Sequence, residues 1–384
     1  MVCVVVSACN VASYPEGGGH FWVYMQYVQG LRKLGADVFW LERFCQSDDN
    51  SHDQRALKRF FERMDRYGLG GKTILYVCHG TSDRDGYNFV NVPRAKAEKI
   101  FREADLLLNF EYEINPTILE CFSRTALVDI DPGLLQYWVS TDQVNLNPHD
   151  IYFTTGETVG TPAAKFPDCG LSWVHIRPVV CLDLWPYEFN SDCGVFTSIS
   201  HWHTDDWIED AEVGLWENTK RVSFLKFIRL PQMTSQKLEL ALNLELASED
   251  RKILELHGWQ IRDASAVAGG PESYRSYITG SRGEFSCAKP SCMHFENAWV
   301  SDRSICYLSS GKPAIVQYTG MSSYLPDCDG MFRFSTAEEA VEALETVNTD
   351  YERHCRKARE IAESLFDSRP ILEKVLNMAL NRDR

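Results

Sequence analysis

SRGEFSCAKPSCMHFENAWVSDRSICYLSSGKPAIVQYTG, residues Ser281 to Gly320, is the stretch whose reading decides the fold. Glu284-Phe285-Ser286 makes a short strand, and Lys289 stands in the loop that leaves it. Ser301-Asp302-Arg303-Ser304 then opens a helix, since a serine hydroxyl accepts from free first-turn amides and an aspartate suits the positive helix end. Gly311 closes that helix, 313–317 (PAIVQ) reads as an apolar strand, and Thr319-Gly320 turns the chain. Strand, loop, helix and strand form the repeating unit of a parallel sheet covered by helices.

The same alternation extends in both directions. Residues 2–8 (VCVVVSA) are a continuous apolar run, as a strand buried on both faces requires. A polar, glycine-rich loop from Asn10 to Gly19 follows. A helix pattern over 20–34 then places Phe21, Tyr24, Val28 and Leu31 on one face, with Gly35 just past its end. Segments 37–42, 73–77, 105–110, 125–130 and 150–154 read as further strands, with helices over 55–66, 93–103 and 115–121. The stretch 167–190, rich in Pro, Asp and aromatic residues, lacks a sustained period and reads as an interdomain linker. Beyond it, strands are expected at 194–199, 237–243 and 283–287, and helices at 219–229, 272–280 and 303–310. Helices over 336–347, 350–366 and 369–380 close the chain. The expected class is α/β, with two doubly wound Rossmann-like domains facing a cleft. The first spans 1–180 and the second 190–355, and C-terminal helices over 356–384 are able to cross back to the first. Ligands of such sheets sit beyond the carboxyl ends of the strands, which selects the loops to search.

Composition narrows the partners. The 384 residues are 44% hydrophobic and 12% aromatic, enough for two cores. A net charge of −15 weighs against binding nucleic acid or an anionic membrane surface. No apolar run reaches the roughly twenty residues of a membrane span, and the N-terminus reads as a strand rather than a leader. The 13 cysteines are dispersed and include no C-x-x-C pair, which points to reduced thiols and a cytoplasmic setting.

Several loops carry candidate chemistry. In Glu16-Gly17-Gly18-Gly19-His20 the glycines allow close backbone approach, the helix end offers bare amides to a phosphate, and His20 is a candidate general base. An ordinary turn would use the same residues. Asn218-Thr219-Lys220-Arg221 opens a helix with a basic pair able to neutralise a diphosphate, or simply to face solvent. In His201-Trp202-His203-Thr204-Asp205-Asp206 the alternating histidines permit a metal, although a loop lining phosphates is the more natural reading. Asp129-Ile130-Asp131 ends a first-domain strand, where it contacts an acceptor or merely turns. Trp259 either faces a nucleobase or is buried in the core.

The Ser281–Gly320 unit resembles the donor-binding half of glycosyltransferases with the two-domain GT-B fold, most closely the branch called family 4 or glycosyl transferases group 1. Glu284-Phe285-Ser286 is similar to the start of the family unit, and Gly311-Lys312-Pro313-Ala314-Ile315 with Thr319-Gly320 to its end. Gly17-Gly18-Gly19-His20 and the following Gly-Leu-Arg-Lys-Leu-Gly-Ala-Asp-Val resemble the family's first loop and helix. The resemblance implies transfer of a sugar from a nucleoside-diphosphate sugar to an acceptor, with retention, and with no cofactor or essential metal. It places Glu284 near the transferred sugar and Asp302 on a ribose hydroxyl. Lys220, Arg221, Lys289, Arg303 and the Ser301–Ser304 helix end would surround phosphates and ribose. Gly17, Gly18 and Gly19 would close on the phosphates from the first domain as the domains shut out water, and Thr319 and Gly320 would complete the donor site. In an inverting alternative His20 is the base. The family's E-x7-E pattern is broken, because Cys292 stands where the second glutamate belongs. An epimerase of the same fold and a non-catalytic sugar-nucleotide-binding protein are the rival expectations.

Overall fold

The computed structural model describes residues 1–78, 86–203, 207–210, 214–327 and 329–380. The chain divides into two compact units. The first comprises Met1–Gly160, Phe166–Arg177 and Ser368–Arg384; the second comprises Thr161–Lys165 and Pro178–Asp367.

The first unit begins with β1 (Cys3–Ala8), α1 (Gly18–Lys33), β2 (Asp37–Arg43), α2 (Asn50–Arg66), β3 (Thr73–Cys78) and β4 (Tyr87–Phe89). It continues with α3 (Arg94–Glu103), β5 (Leu106–Asn109), α4 (Pro116–Leu119), β6 (Thr125–Asp129), α5 (Leu134–Ser140), β7 (Ile151–Thr154) and β8 (Trp173–His175). Eight strands form one sheet in the order β4-β3-β2-β1-β5-β6-β7-β8, and only the β3–β4 pair is antiparallel. Because successive strand residues alternate faces, Val5, Leu41 and Leu107 meet Phe101 and Phe122 in one layer. Val4 and Val6, equally buried, point to the other face. Each such side chain contributes about 1.5–3 kcal/mol by leaving water.

The second unit begins with β9 (Val195–Ser200), the hairpin β10 (Trp207–Asp210) and β11 (Gly214–Glu217), α6 (Lys220–Lys226) and β12 (Lys237–Leu242). Next come α7 (Glu249–Leu256), β13 (Gln260–Asp263), α8 (Ala264–Ala268), α9 (Pro271–Thr279), β14 (Gly283–Ser286) and α10 (Pro290–His294). It ends with α11 (Asp302–Ser309), β15 (Ala314–Gln317), β16 (Met331–Phe334), α12 (Ala337–Thr349) and α13 (Tyr351–Leu365). The six-stranded sheet runs β13-β12-β9-β14-β15-β16 and is parallel throughout. Its core stacks Phe285 on Phe334, with Trp259 against the first ring and Phe227 against the second. Trp259 is therefore a core residue, its indole N–H donating to the Ile228 carbonyl at 2.9 Å.

Three features depart from the expected elements. The stretch expected as a linker contains β8, whose three residues are too few to show a period; they pair with Tyr152, Phe153 and Thr154 of β7. The first helix starts at Gly18 rather than at residue 20. The C-terminal helices part company, since α13 packs on α11 in the second unit whereas α14 (Ser368–Leu380) packs on α1 in the first. Among the described residues no helix is long and apolar enough to cross a membrane.

The docking of α14 depends on Gly30 of α1. A Cβ there would stand 2.4 Å from Leu372 Cδ1 and 2.9 Å from Ser368 Cβ, and Leu372 is fully buried with nowhere to swing. Gly30→Ala is expected to lower stability by about 1–2 kcal/mol, because the overpacking cost exceeds the gain in helix propensity. Urea denaturation measures this; a stabilised variant would mean that α14 yields freely.

Candidate functional site

In both sheets the strand order reverses about the first strand, β1 lying between β2 and β5 and β9 between β12 and β14. Connections leave such a pair toward opposite faces, which opens room for a ligand beyond the carboxyl ends.

In the second unit Arg303, in the first turn of α11, bridges that point. Its Nε donates to Glu284 Oε1 at 2.7 Å, its Nη1 to the Ile199 carbonyl of β9 at 2.7 Å, and its Nη2 to Ser286 Oγ of β14. Arg303 is 8% exposed and Glu284 is 0% exposed. Ser301 caps α11, its hydroxyl accepting from the Arg303 amide at 3.3 Å. Ser301, Arg303, Ser304 and Thr319 line one small cavity with Ser286 and Trp299. Asp302 is half-buried in the first turn of the same helix. Thr319 donates to the Trp299 carbonyl at 2.8 Å. Gly320 has φ +119°, and a Cβ there would lie 2.7 Å from the Glu296 carbonyl oxygen, so this turn admits only glycine.

Lys220 opens α6 and faces the same group. The loop before it is held by Asn218, whose Oδ1 accepts from the Ser291 amide of α10 at 2.9 Å. The Lys220 ammonium lies 5.9 Å from the Trp299 ring centroid. Burial pushes its pKa down to about 7, helped by repulsion from Arg303 and Lys289; Cys292 and Glu284 oppose the shift. Two cationic side chains thus act on the Lys220 ammonium, with Glu284 and Cys292 pulling the other way. That arrangement suits an anion, which would restore charge to Lys220.

Some expected residues go elsewhere. Arg221, next to Lys220 in sequence, does not join it. Its Nε and Nη2 clasp Asp250 at 2.6 and 3.0 Å, and Asp250 also accepts from the Trp202 indole at 2.8 Å and lies 3.4 Å from His203 Nε2. That bidentate pair raises the pKa of Arg221 and lowers that of Asp250. Arg221 is thereby spent on a structural network, as is the Trp202–His203 part of the candidate metal loop; Thr204, Asp205 and Asp206 lie outside the described residues. Among the described residues no group of His, Cys, Asp or Glu has the arrangement of a metal site. Glu284, expected beside the transferred sugar, is wholly enclosed, and the contact it makes is with Arg303. It is a positioning residue.

In the first unit, Gly17 is the N-cap of α1, so Gly18, Gly19 and His20 form its first turn, where amides lack helical acceptors. Arg63 donates to the Pro15 carbonyl and Arg59 pairs with Glu16, both at 2.5 Å, which straps the loop to α2. His20 Nε2 donates to the Cys9 carbonyl at 2.6 Å, and burial pushes its pKa below the ordinary value. The imidazole is therefore neutral, with Nδ1 as the lone-pair nitrogen. Three residues overlooked in the sequence also collect here. Glu42 takes the Ala12 amide at 2.6 Å and the Trp40 indole at 2.8 Å, and burial lifts it to about 8. Glu111 pairs with Arg43 at 3.3 Å and bonds the Cys9 thiol, and burial raises its pKa. Tyr112 donates to Asp131 at 3.1 Å. The available signal was a charged residue at the carboxyl end of an apolar strand, as in DVFWLE and LLLNFE. Asp129, lifted to about 7 by burial, is held by Gln136 and Thr154 at 2.9 and 2.8 Å and is structural.

No protein-family model matches the chain, and no curated protein matches it. Solved structures do. An alpha-glucosyltransferase in complex with UDP and a 13-mer DNA containing an HMU base is 12% identical, with 99% of each chain covered and a TM-score of 0.62. Anabaena HepE in complex with UDP-glucose is 9% identical over 98% of this chain and 99% of that one, with a TM-score of 0.58. A glycosyltransferase from Rickettsia africae is 9% identical over 100% and 99%, with a TM-score of 0.54. The likeness is one of fold, and it establishes the class as GT-B, with two Rossmann-like units.

The Glu284–Arg303 pair sets a stability test. Glu284→Leu strands a buried guanidinium and is expected to cost about 3–5 kcal/mol, whereas Glu284→Leu with Arg303→Met should recover much of that loss. Urea denaturation of the parent, both single variants and the double variant decides; a double variant as unstable as the sum of its singles would deny the coupling.

Proposed function

We propose that the chain is a glycosyltransferase that takes a sugar from a nucleoside-diphosphate sugar held at the carboxyl end of the second sheet. The acceptor is received by the corresponding end of the first. The observation that carries this reading is the buried Lys220, held toward the neutral form by burial and by repulsion from Arg303 and Lys289, since a diphosphate beside it would restore its charge. As the glycosidic bond breaks, charge grows on the leaving diphosphate, and Lys220, Lys289 and the amides opening α11 stabilise it. These basic groups take the place of a metal, so donor binding should survive EDTA. Asp302 is assigned to the ribose and His20 with its neighbours to the acceptor. The resemblance to family 4, group 1, favours retention. The described cysteines are all free thiols, in keeping with a cytoplasmic enzyme. UDP-sugars are the first donors to test, because similar structures hold UDP or UDP-glucose. The net charge of −15 favours an acceptor other than nucleic acid; DNA belongs in the acceptor screen because several similar structures contain it. Consumption of donor with no acceptor present would instead mark an epimerase.

Proton uptake tests the donor site directly. With a pKa near 7, Lys220 is mostly neutral at pH 8; an anion beside it stabilises the ammonium, so the site takes up a proton as UDP binds. Titration calorimetry at pH 8 in buffers of different ionisation enthalpy should show fractional uptake. Lys220→Met should abolish it and weaken UDP about 10- to 100-fold, with EDTA changing neither result. Unchanged affinity in that variant, or no uptake in the parent, would remove the diphosphate from this cluster.

A further inference from the structure

The amino end of the second sheet carries a group of side chains that sugar transfer does not use. Lys312, two residues before β15, is fully enclosed. Its ammonium reaches the Cys193 thiol at 4.0 Å, its one hydrogen-bond partner among the described residues. A buried ammonium is ordinarily held by a carboxylate. Here two thiols, Cys193 and Cys355, act on it more strongly than Glu188 does. Cys193 also lines a groove of about 450 Å³ that opens to solvent beside Asp192, Thr197, Arg262 and Tyr277. Its backbone is fixed, because Arg282 donates to the Cys193 carbonyl at 3.0 Å while lying 3.8 Å from the Tyr351 ring centroid. A buried thiol in the wall of a solvent-facing groove thus stands beside an enclosed amine.

We propose that Cys193 is an oxidation site and that Lys312 traps its oxidised form as a sulfenamide crosslink, with hydrogen peroxide as the oxidant. In the first step the sulfur attacks one peroxide oxygen, the O–O bond breaks, and Cys193 becomes a sulfenic acid as water leaves; sulfur loses two electrons and peroxide gains them. In the second step the Lys312 lone pair forms an N–S bond while the S–O bond breaks, and the hydroxyl departs as water with an amine proton. Two further properties favour this partner. Burial lowers the pKa of Lys312, which enlarges the share of neutral, nucleophilic amine. Cys355, the rival trap, is pushed up to about 11 by burial, so almost none of it is the thiolate that attacks sulfur at neutral pH. The crosslink would join the segment leading into β9 to the segment leading into β15.

The test treats the full chain with hydrogen peroxide, blocks remaining thiols with N-ethylmaleimide, and maps the digested peptides by mass spectrometry. The expected product joins the peptides of Cys193 and Lys312 with loss of two hydrogens and is released by dithiothreitol. Lys312→Met should leave Cys193 as a sulfenic acid that dimedone captures, and Cys355→Ser should keep the crosslink. A Cys193 that stays alkylatable after peroxide, a disulfide between Cys193 and Cys355, or a crosslink that persists in Lys312→Met would each overturn the proposal. The parent protein alone gives the first two results, so the test does not rest on the variants, and its readout is independent of UDP binding.

Discussion

The guanidinium of Arg303 is the tie on which the working end of the second unit depends. A doubly wound sheet opens where its strand order reverses, and nothing in the backbone ladder closes that opening between β9 and β14 beyond their last paired residues. Arg303 reaches from α11 to the Ile199 carbonyl on one strand and to Glu284 and Ser286 on the other, so a helix and both flanking strands share one rigid fork. A buried cation is tolerated only when paired, and Glu284 supplies that pairing from inside the sheet. Arg303 is thereby largely neutralised within the fold. Lys220, which burial pushes toward the neutral form, is the neighbouring basic group that an anion would charge.

The two units solve the same topological problem with opposite chemistry. Each places one ion pair at its reversal point, Arg43 with Glu111 in the first and Arg303 with Glu284 in the second. Around its pair the second unit adds lysines. The first adds carboxyls that burial drives toward the neutral form: Glu42, lifted to about 8, ties down the loop at Ala12, and Asp129, at about 7, braces Gln136 and Thr154. Those carboxyls are enclosed and committed to the fold, so the group this end of the first unit brings beside them is the His20 imidazole, which burial pushes toward its neutral form. A cluster of lysines is suited to an anion. The proposed division of acceptor and donor follows from this contrast rather than from fold alone.

What the sequence made legible was set by local rules. Apolar runs such as VCVVVSA marked the central strands, and Ser301 was readable as a cap because its partner is two residues away. What it hid was set by partners far along the chain. Nothing near Arg303 announces Ile199, and nothing near Arg221 announces Asp250; Lys220 and Arg221 look interchangeable until the turn of α6 points only one of them at the site. β4 and β8 are three residues each, below the length at which alternation can be seen. The start of α1 at Gly18 defies glycine's poor helix propensity, since the buried face that follows, Phe21, Tyr24, Met25 and Val28, outweighs one or two unfavourable residues.

The broken E-x7-E pattern takes on a physical meaning in this setting. Cys292 occupies the second position, in α10, where Lys289 and Lys220 act on it. Burial raises the thiol's pKa against the pull of both lysines, so the position carries no charge at neutral pH. A glutamate there would add a second negative charge to a cluster that holds only Glu284, and at roughly 4 Å and an effective dielectric near 20 one unit charge is worth about 4 kcal/mol. Burial depresses the pKa of Lys220, and with no carboxylate at position 292 the repulsion from Arg303 and Lys289 is less opposed. An anion bound beside Lys220 would oppose the same repulsion. The broken pattern therefore weakens any role for a second carboxylate here and favours the proposed diphosphate.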